Sequence, residues 1–385
     1  MAKKDSTPKV TSQADIRKKF QSFIKSNKSQ NEYEMFNEAK LPDVDTWIST
    51  GCYALNRIMS GSYRKAIAHS RITGFMGMPG VGKSYICGNI MREAQKLGYG
   101  VILYETETAI DTDFYARLGV DVESILYQSA MTINQWKTDI VNLLTKLHEE
   151  DPDQKWLVVT DSLANLLTEK EIADTEDGGT AQDMGLRAKQ YSAASRILQK
   201  TIANCNAAMV LTNHSYEKPG ANPNVPPVEV PKGGNGFIYM CSTLVGIKKY
   251  AIKEDSRTLE DNKSFKEKVA NRIVFETVKN RFVPEGMKAE ALLHFKHGLQ
   301  PYHGLLEDAL RFGFFEKSAR GFFVKHLDKN VFTKDLYTAE VWEPIFDELQ
   351  KKVEAAMAYS TYGEDGNAII PLETDDSDVP KDKDE

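Results

Sequence analysis

Residues 77–84, Gly-Met-Pro-Gly-Val-Gly-Lys-Ser, have the G-x-x-x-x-G-K-S spacing of a phosphate-binding loop. Gly77, Gly80 and Gly82 let the backbone wrap until successive N–H groups point inward at phosphate oxygens, with Met78, Pro79 and Val81 completing the turn. Lys83 can then reach the β- and γ-phosphates, and the Ser84 hydroxyl can ligate Mg2+, so the chemistry on offer is nucleotide binding. Asp161 closes the apolar run 156–160, where a carboxylate would hold a magnesium-bound water. Glu105 and Glu107 follow the apolar run 101–104. Either could orient or deprotonate a water for attack on a γ-phosphate, and period-2 alternation puts both on one side.

These groups need a scaffold that brings them together. Residues 72–76, 101–104, 156–160 and 207–212 are apolar runs of strand length, and helical patterns at 85–97, opening with Tyr85, at 132–148 and at 184–203 alternate with them. The alternation predicts an α/β core with a central, mostly parallel twisted sheet covered on both faces. Strands at 242–250, 270–278 and 289–295 and a helix at 302–312 complete it, with an exposed hairpin or loop at 253–268. Residues 169–183 lack apolar periodicity and read as a mobile loop. Residues 215–236, rich in Pro and Gly, read as a long structureless loop in which Lys218, Lys232, Gly233 and Gly234 could meet an anionic partner. Lys189, Arg196 and Lys200 share one helix face, suited to a row of phosphates or to solvent alone.

The flanks divide the 385 residues into an N-terminal basic, oligomerisation module (1–45), the core (46–312), a C-terminal extension (313–370) and a disordered acidic tail (371–385). Within the first, Ile16, Phe20, Phe23 and Ile24 form one face of a short helix, which either docks on a partner or belongs to a solvated basic tail. The extension carries Trp342, Phe346 and Leu349 at helical spacing over 322–357. Four dispersed cysteines without a CxxC pair read as buried thiols rather than a zinc site or disulfide framework. No apolar run of membrane-spanning length occurs, which predicts a soluble, cytoplasmic protein.

Seven segments recur in a fixed order around the phosphate loop. They are Ile48-Ser49-Thr50-Gly51 with Leu55, Glu105 to Asp111 followed by Tyr115 to Asp121, Asp161 to Leu166, Met184-Gly185-Leu186, Gly233-Gly234-Asn235, Val278-Lys279-Asn280-Arg281, and Tyr302 to Ala309. In this order they resemble the RecA-type recombinases, closest to the phage-encoded UvsX type, over residues 46–330. The resemblance implies a RecA-like P-loop NTPase core using ATP and Mg2+. It assigns Glu107 rather than Glu105 to water activation, Asp111 to the adenine edge, and Phe114 to stacking on the base, with Tyr115 as the alternative. His214 would sense the γ-phosphate, and Lys189 and Arg196 would meet DNA. Lys279 and Arg281 would reach the γ-phosphate bound by a neighbouring subunit, a head-to-tail contact that gives a helical filament.

The expected function is therefore ATP-dependent DNA strand exchange, with single-stranded DNA, a homologous duplex, further copies of the chain, and single-strand-binding and loader proteins as partners. A hexameric helicase on the same core and a non-hydrolysing recombination mediator are the alternatives. Two departures stand out: residues 169–183 are acidic with a single Lys170, and residues 215–236 hold no aromatic except Tyr216. Phe36-Asn37-Glu38-Ala39, by contrast, fits a four-residue pattern with two fixed positions by which some relatives tether adjacent subunits.

Overall fold

The apolar runs of strand length line up in one ten-stranded sheet in the computed structural model. It describes residues 12–26, 33, 35, 44, 46–107, 112–176, 184–218, 228–257, 264–296 and 298–357. The chain divides into two compact units, Met1–Asp43 and Val44–Glu385. The first contains α1 (Gln13–Ser26), on which Phe20 and Phe23 are exposed and Phe23 meets the Tyr33 ring edge-on.

The second unit opens with β1 (Trp47–Ile48), α2 (Tyr53–Ser60) and β2 (Ile67–Ala68), then enters the sheet with β3 (Ile72–Gly77), α3 (Lys83–Lys96) and β4 (Gly100–Glu105). It continues through α4 (Thr112–Arg117), β5 (Ile125–Ser129), α5 (Ile133–Glu150), β6 (Trp156–Asp161), α6 (Glu169–Glu176) and α7 (Met184–Asn204). Next come β7 (Ala207–Lys218), β8 (Val228–Pro231), α8 (Asn235–Met240), β9 (Thr243–Arg257), β10 (Ser264–Lys279), β11 (Lys288–His294) and β12 (Gly298–Leu299). The order across the sheet is β12-β11-β10-β9-β3-β7-β6-β4-β5, with β8 on the end of β7. All pairs from β9 to β5 are parallel, and the β9–β10–β11–β12 side is antiparallel.

Alternate side chains of the central strands go to opposite faces, and both faces are dry. Val101, Leu103, Leu157, Val159, Ala208 and Val210 pack towards α2 and α3. Ile102, Val158, Met209 and Leu211 pack towards α5, α7 and α8. Burial on both faces explains why these strands read as continuous apolar runs. Trp136 anchors α5 by donating its Nε1–H to Thr160 Oγ1 at 3.0 Å, which satisfies both polar groups inside the core.

Four expectations about connecting segments are corrected. Residues 169–176 are helical: Thr168 Oγ1 accepts the Glu171 N–H at 3.1 Å and the Glu171 carboxylate accepts the Thr168 N–H at 2.6 Å, a reciprocal helix cap. The long Pro/Gly stretch is not structureless at its ends, because Ser215–Lys218 of β7 pairs with Val228–Pro231 as a hairpin and Asn235–Met240 is helical. The helix expected at 302–312 shortens to α9 (Leu306–Arg311), preceded by a turn. Part of the extension expected to be helical, residues 322–331, belongs to a three-stranded antiparallel sheet of β13 (Phe315–Ser318), β14 (Gly321–Val324) and β15 (Lys329–Val331). Gly321, at φ 150°, makes its tight turn, and the aromatic pair Phe322-Phe323 favours extended backbone. Helical spacing does hold for α10 (Ala339–Met357), which buries Trp342, Phe346 and Leu349.

A buried ion pair fastens α9 to α2. Arg57 Nε lies 2.6 Å from Asp308 Oδ2, Nη2 donates to Oδ1 at 2.8 Å, and the Tyr63 hydroxyl donates to Oδ2 at 2.8 Å. Removing the carboxylate leaves a guanidinium and a phenol without their acceptor in a dry site. Asp308→Ala is therefore expected to lower stability by about 3 kcal/mol in urea unfolding, as breaking one side of a buried pair does.

Candidate functional site

Because β3, β4, β6 and β7 are parallel, their C-terminal ends meet at one edge of the sheet, where crevices of open α/β sheets form. The phosphate loop leaves β3 there, Glu105 ends β4, Asp161 ends β6, and His214 pairs in register with Gly77. These ends surround a cleft of about 680 Å³. Its lining combines the phosphate-loop residues Gly80, Gly82, Lys83 and Ser84 with Asp161, Glu107 and His214, and adds Tyr85, Phe114, Arg117 and Leu118.

Gly80 and Gly82 take φ values of 71° and 107°, which residues with a Cβ avoid, so the loop's shape requires them. Buried Lys83 donates Nζ to the carbonyls of Gly77 and Met78, each at 3.0 Å. Burial lowers the pKa of this ammonium, while the Asp161 and Glu107 carboxylates act the other way. An incoming polyphosphate would supply the charge that the desolvated amine lacks. Asp161 accepts the Thr212 hydroxyl on Oδ1 at 2.5 Å, while its buried Oδ2 has no hydrogen-bond partner. An orphaned carboxylate oxygen sharing the cleft with the Ser84 side chain fits a magnesium site.

The two glutamates part company. The strand ends at Glu105, so alternation does not carry on to Glu107. Glu105 is buried and accepts the Glu107 N–H at 2.9 Å, whereas Glu107 turns into the cleft. There its Oε1 accepts the Ser162 hydroxyl at 2.6 Å and sits 2.7 Å from His214 Nε2. Burial would raise the Glu107 pKa, but the hydrogen bonds from Ser162 and His214, with the charges of His214 and Lys83, outweigh it and hold the carboxyl below its ordinary value of 4.5. The fold therefore favours the charged form, a contribution complete above the ordinary value and lost as pH falls through the lowered one. His214→Ala removes that hydrogen bond, so the Glu107 carboxyl pKa, followed by NMR titration, is expected to move upward. An unmoved pKa would uncouple the two residues.

Other expected site residues lie elsewhere. Asp111 and residues 36–39 fall outside the described residues, as does the acidic tail. Tyr115 is buried in the core and does not line the cleft; Phe114 does. Lys189 and Arg196 are exposed on α7, Lys218 and Lys232 are exposed at the β7–β8 hairpin and the turn after it, and Gly233 and Gly234 form the turn into α8. None of these lines the nucleotide cleft. The turn is nevertheless tied to the cleft, since the Lys232 N–H donates to the His214 carbonyl at 2.9 Å and Asn213 Nδ2 donates to the Lys232 carbonyl at 2.8 Å.

Lys279 ends β10 opposite Leu244, near the start of β9, which places it at the sheet edge away from the phosphate loop. Register carries Lys279 across Leu244 to Gly74, three residues or ~10 Å along the strands from Gly77, with β9 between. Lys279 Nζ donates to the Ile238 carbonyl of α8 at 2.9 Å, and Arg281 lines a small notch with Arg71, Gln199 and Ser242. Arg117 and Leu118 were missed as cleft residues by sequence reasoning. Their spacing from Phe114, three positions along α4 for Arg117 and one more into the turn that closes it for Leu118, was the available signal.

A parallel sheet with a phosphate loop, a strand-end aspartate and a strand-end glutamate at one edge defines a P-loop nucleotide-binding α/β protein. The chain belongs to the RecA N-terminal domain family, which matches residues 25–300. This is the family that the motif order resembles. The chain is similar to the recombination and repair protein of Enterobacteria phage T4, 27% identical over 286 residues covering 71% of this chain and 68% of that protein. It is also similar to the RecA proteins of Thermus thermophilus, 30% identical over 71% of this chain and 74% of the relative, and of Aquifex aeolicus, 29% identical over 80% and 83%. Among the described residues no helix is long and apolar enough to cross a membrane, and the four cysteines are buried free thiols.

Proposed function

We propose that the protein is an ATP-dependent DNA strand-exchange recombinase of recombination and repair that polymerises on single-stranded DNA. The observation that carries the reading is that the cleft and the basic pair Lys279 and Arg281 lie at different edges of the sheet. The cleft holds a cradle and a carboxylate base but no arginine or lysine beyond Lys83 and Arg117 along its described lining, while Lys279 and Arg281 sit at the opposite edge. A second copy stacked head to tail would bring one edge against the other, and a stack that does not close is a helical filament.

In this reading, the phosphate loop and Lys83 bind the triphosphate of ATP, and Tyr85, Phe114 and Arg117 flank its base and sugar. Ser84 and Asp161 would hold Mg2+, which neutralises phosphate charge when bound. Glu107 takes the proton of the attacking water, with Ser162 and His214 orienting its carboxylate. His214 is hydrogen-bonded to the turn that carries Lys232, so its position can be transmitted to the DNA-facing hairpin. Lys189, Arg196, Lys218 and Lys232 would meet phosphates, while base pairing selects the homologous duplex. The test is strand exchange between a circular single strand and a homologous linear duplex, with and without ATP. Exchange with ATP, and ATP turnover stimulated by single-stranded DNA and lowered by salt, are expected. DNA-independent turnover with no DNA affinity would sink the reading, and closed rings with unwinding in electron micrographs would favour the helicase.

A further inference from the structure

Two lysines grip the phosphate loop, and only one of them belongs to its motif. Lys249, on β9, donates Nζ to the carbonyl oxygen of Gly80 at the crown of the loop. A Cβ at Gly80 would lie 3.6 Å from that nitrogen. The sheet places it there: β9 runs parallel to β3 with Gly246 opposite Met76, so Lys249 lies three residues past that pair, alongside the loop. Lys249 is exposed and does not line the cleft, whereas buried Lys83 holds the Gly77 and Met78 carbonyls.

We infer that Lys249 is a positioning residue for the phosphate loop, fixing the Gly80–Val81 peptide so that its N–H faces the nucleotide. The peptide unit is planar and trans, so its C=O and N–H point in opposite directions. Anchoring the Gly80 oxygen to an ammonium outside the cleft turns the Val81 N–H to the other side. Gly80 takes a positive φ and, with no Cβ, is the loop residue most free to rotate this peptide away. Lys83 exchanges its carbonyl partners for phosphate when nucleotide arrives. Lys249 has no such exchange to make and keeps the cradle formed before and after binding, which lowers the ordering cost of capture.

This inference rests on the nucleotide reading of the cleft. The test measures binding of mant-ATP with Mg2+ to the full chain without DNA, comparing the wild type with Lys249→Met and Lys249→Arg and recording the melting temperature of each without nucleotide. Lys249→Met is expected to bind about fivefold more weakly, through a faster koff, with an unchanged melting temperature; Lys249→Arg, which keeps a charged donor, is expected to bind within about twofold of wild type. Wild-type affinity in Lys249→Met overturns the role. A loss confined to kon and erased by salt also overturns it, because that is the mark of long-range attraction rather than loop geometry. If the wild type itself fails to bind mant-ATP, the nucleotide reading falls first and takes this role with it.

Discussion

Glu107→Gln is expected to lower ATP turnover about 10³-fold while leaving nucleotide affinity within about twofold. The substitution keeps the shape of the side chain and an oxygen that can still accept the Ser162 hydroxyl, so the fold around β4 and β6 has little reason to move. What it removes is the negative charge and the capacity to take a proton. The carboxylate is prepared for that capacity: the Ser162 and His214 contacts and the nearby Lys83 charge favour its ionised form despite partial desolvation. Phosphate release in the presence of single-stranded DNA reports turnover, and mant-ATP binding reports affinity. Unchanged turnover would remove Glu107 as the base. Glu105 could not simply replace it, because it is buried and engaged by the Glu107 N–H outside the cleft lining. A mediator that does not hydrolyse ATP would lose nothing in this variant.

Lys279→Ala and Arg281→Ala are each expected to lower DNA-stimulated turnover about 10³-fold in pure form, and to regain activity when mixed with Glu107→Gln subunits. Neither variant touches its own cleft, since both residues sit at the far edge of the sheet. In a random equal mixture, roughly a quarter of head-to-tail interfaces would join an intact Glu107 from one subunit to intact cations from the next. Two inactive proteins that make an active one identify a site shared between subunits. A mixture as inactive as its parts would show that each subunit completes its own site. Burial, followed by the neighbouring Arg281 charge, lowers the Lys279 pKa, and the amine is bound to the Ile238 carbonyl of its own α8. To reach another subunit it must leave that carbonyl.

How much of this was legible beforehand differs by segment, and the differences have physical causes. The central strands could be read because burial on both faces demands unbroken apolar runs, and α5 because its apolar residues fall on one stripe. The helix at 169–176 could not be read from apolar periodicity because it has none; its signal was the Thr168–Glu171 cap, a local pair of polar residues. The sheet at 315–331 was hidden by aromatic residues that suit a packed helix as well as a strand, and the choice between them fell to the pairing of Phe315 with Val324 and of Phe322 with Val331. Arg117 escaped notice as a cleft residue because a cation on a short helix looks like ordinary surface until the opposite wall is known.

The phosphate loop lay wholly in the sequence, because eight consecutive residues carry both its shape and its chemistry: glycines for the turn, a lysine for phosphate, a serine for a cation. The alternation of strand and helix likewise required an α/β sheet. Sequence spacing alone could not choose between Glu105 and Glu107; the motif resemblance pointed to Glu107, and the tertiary structure gives the physical reason, by ending β4 at Glu105 and bringing His214 to Glu107 across 107 positions of chain. Only the structure sets Lys249 over Gly80 and Lys279 at the opposite edge. Those placements depend on which strand lies beside which and on its direction. Strand order is a property of long-range pairing, to which no local run of residues is bound.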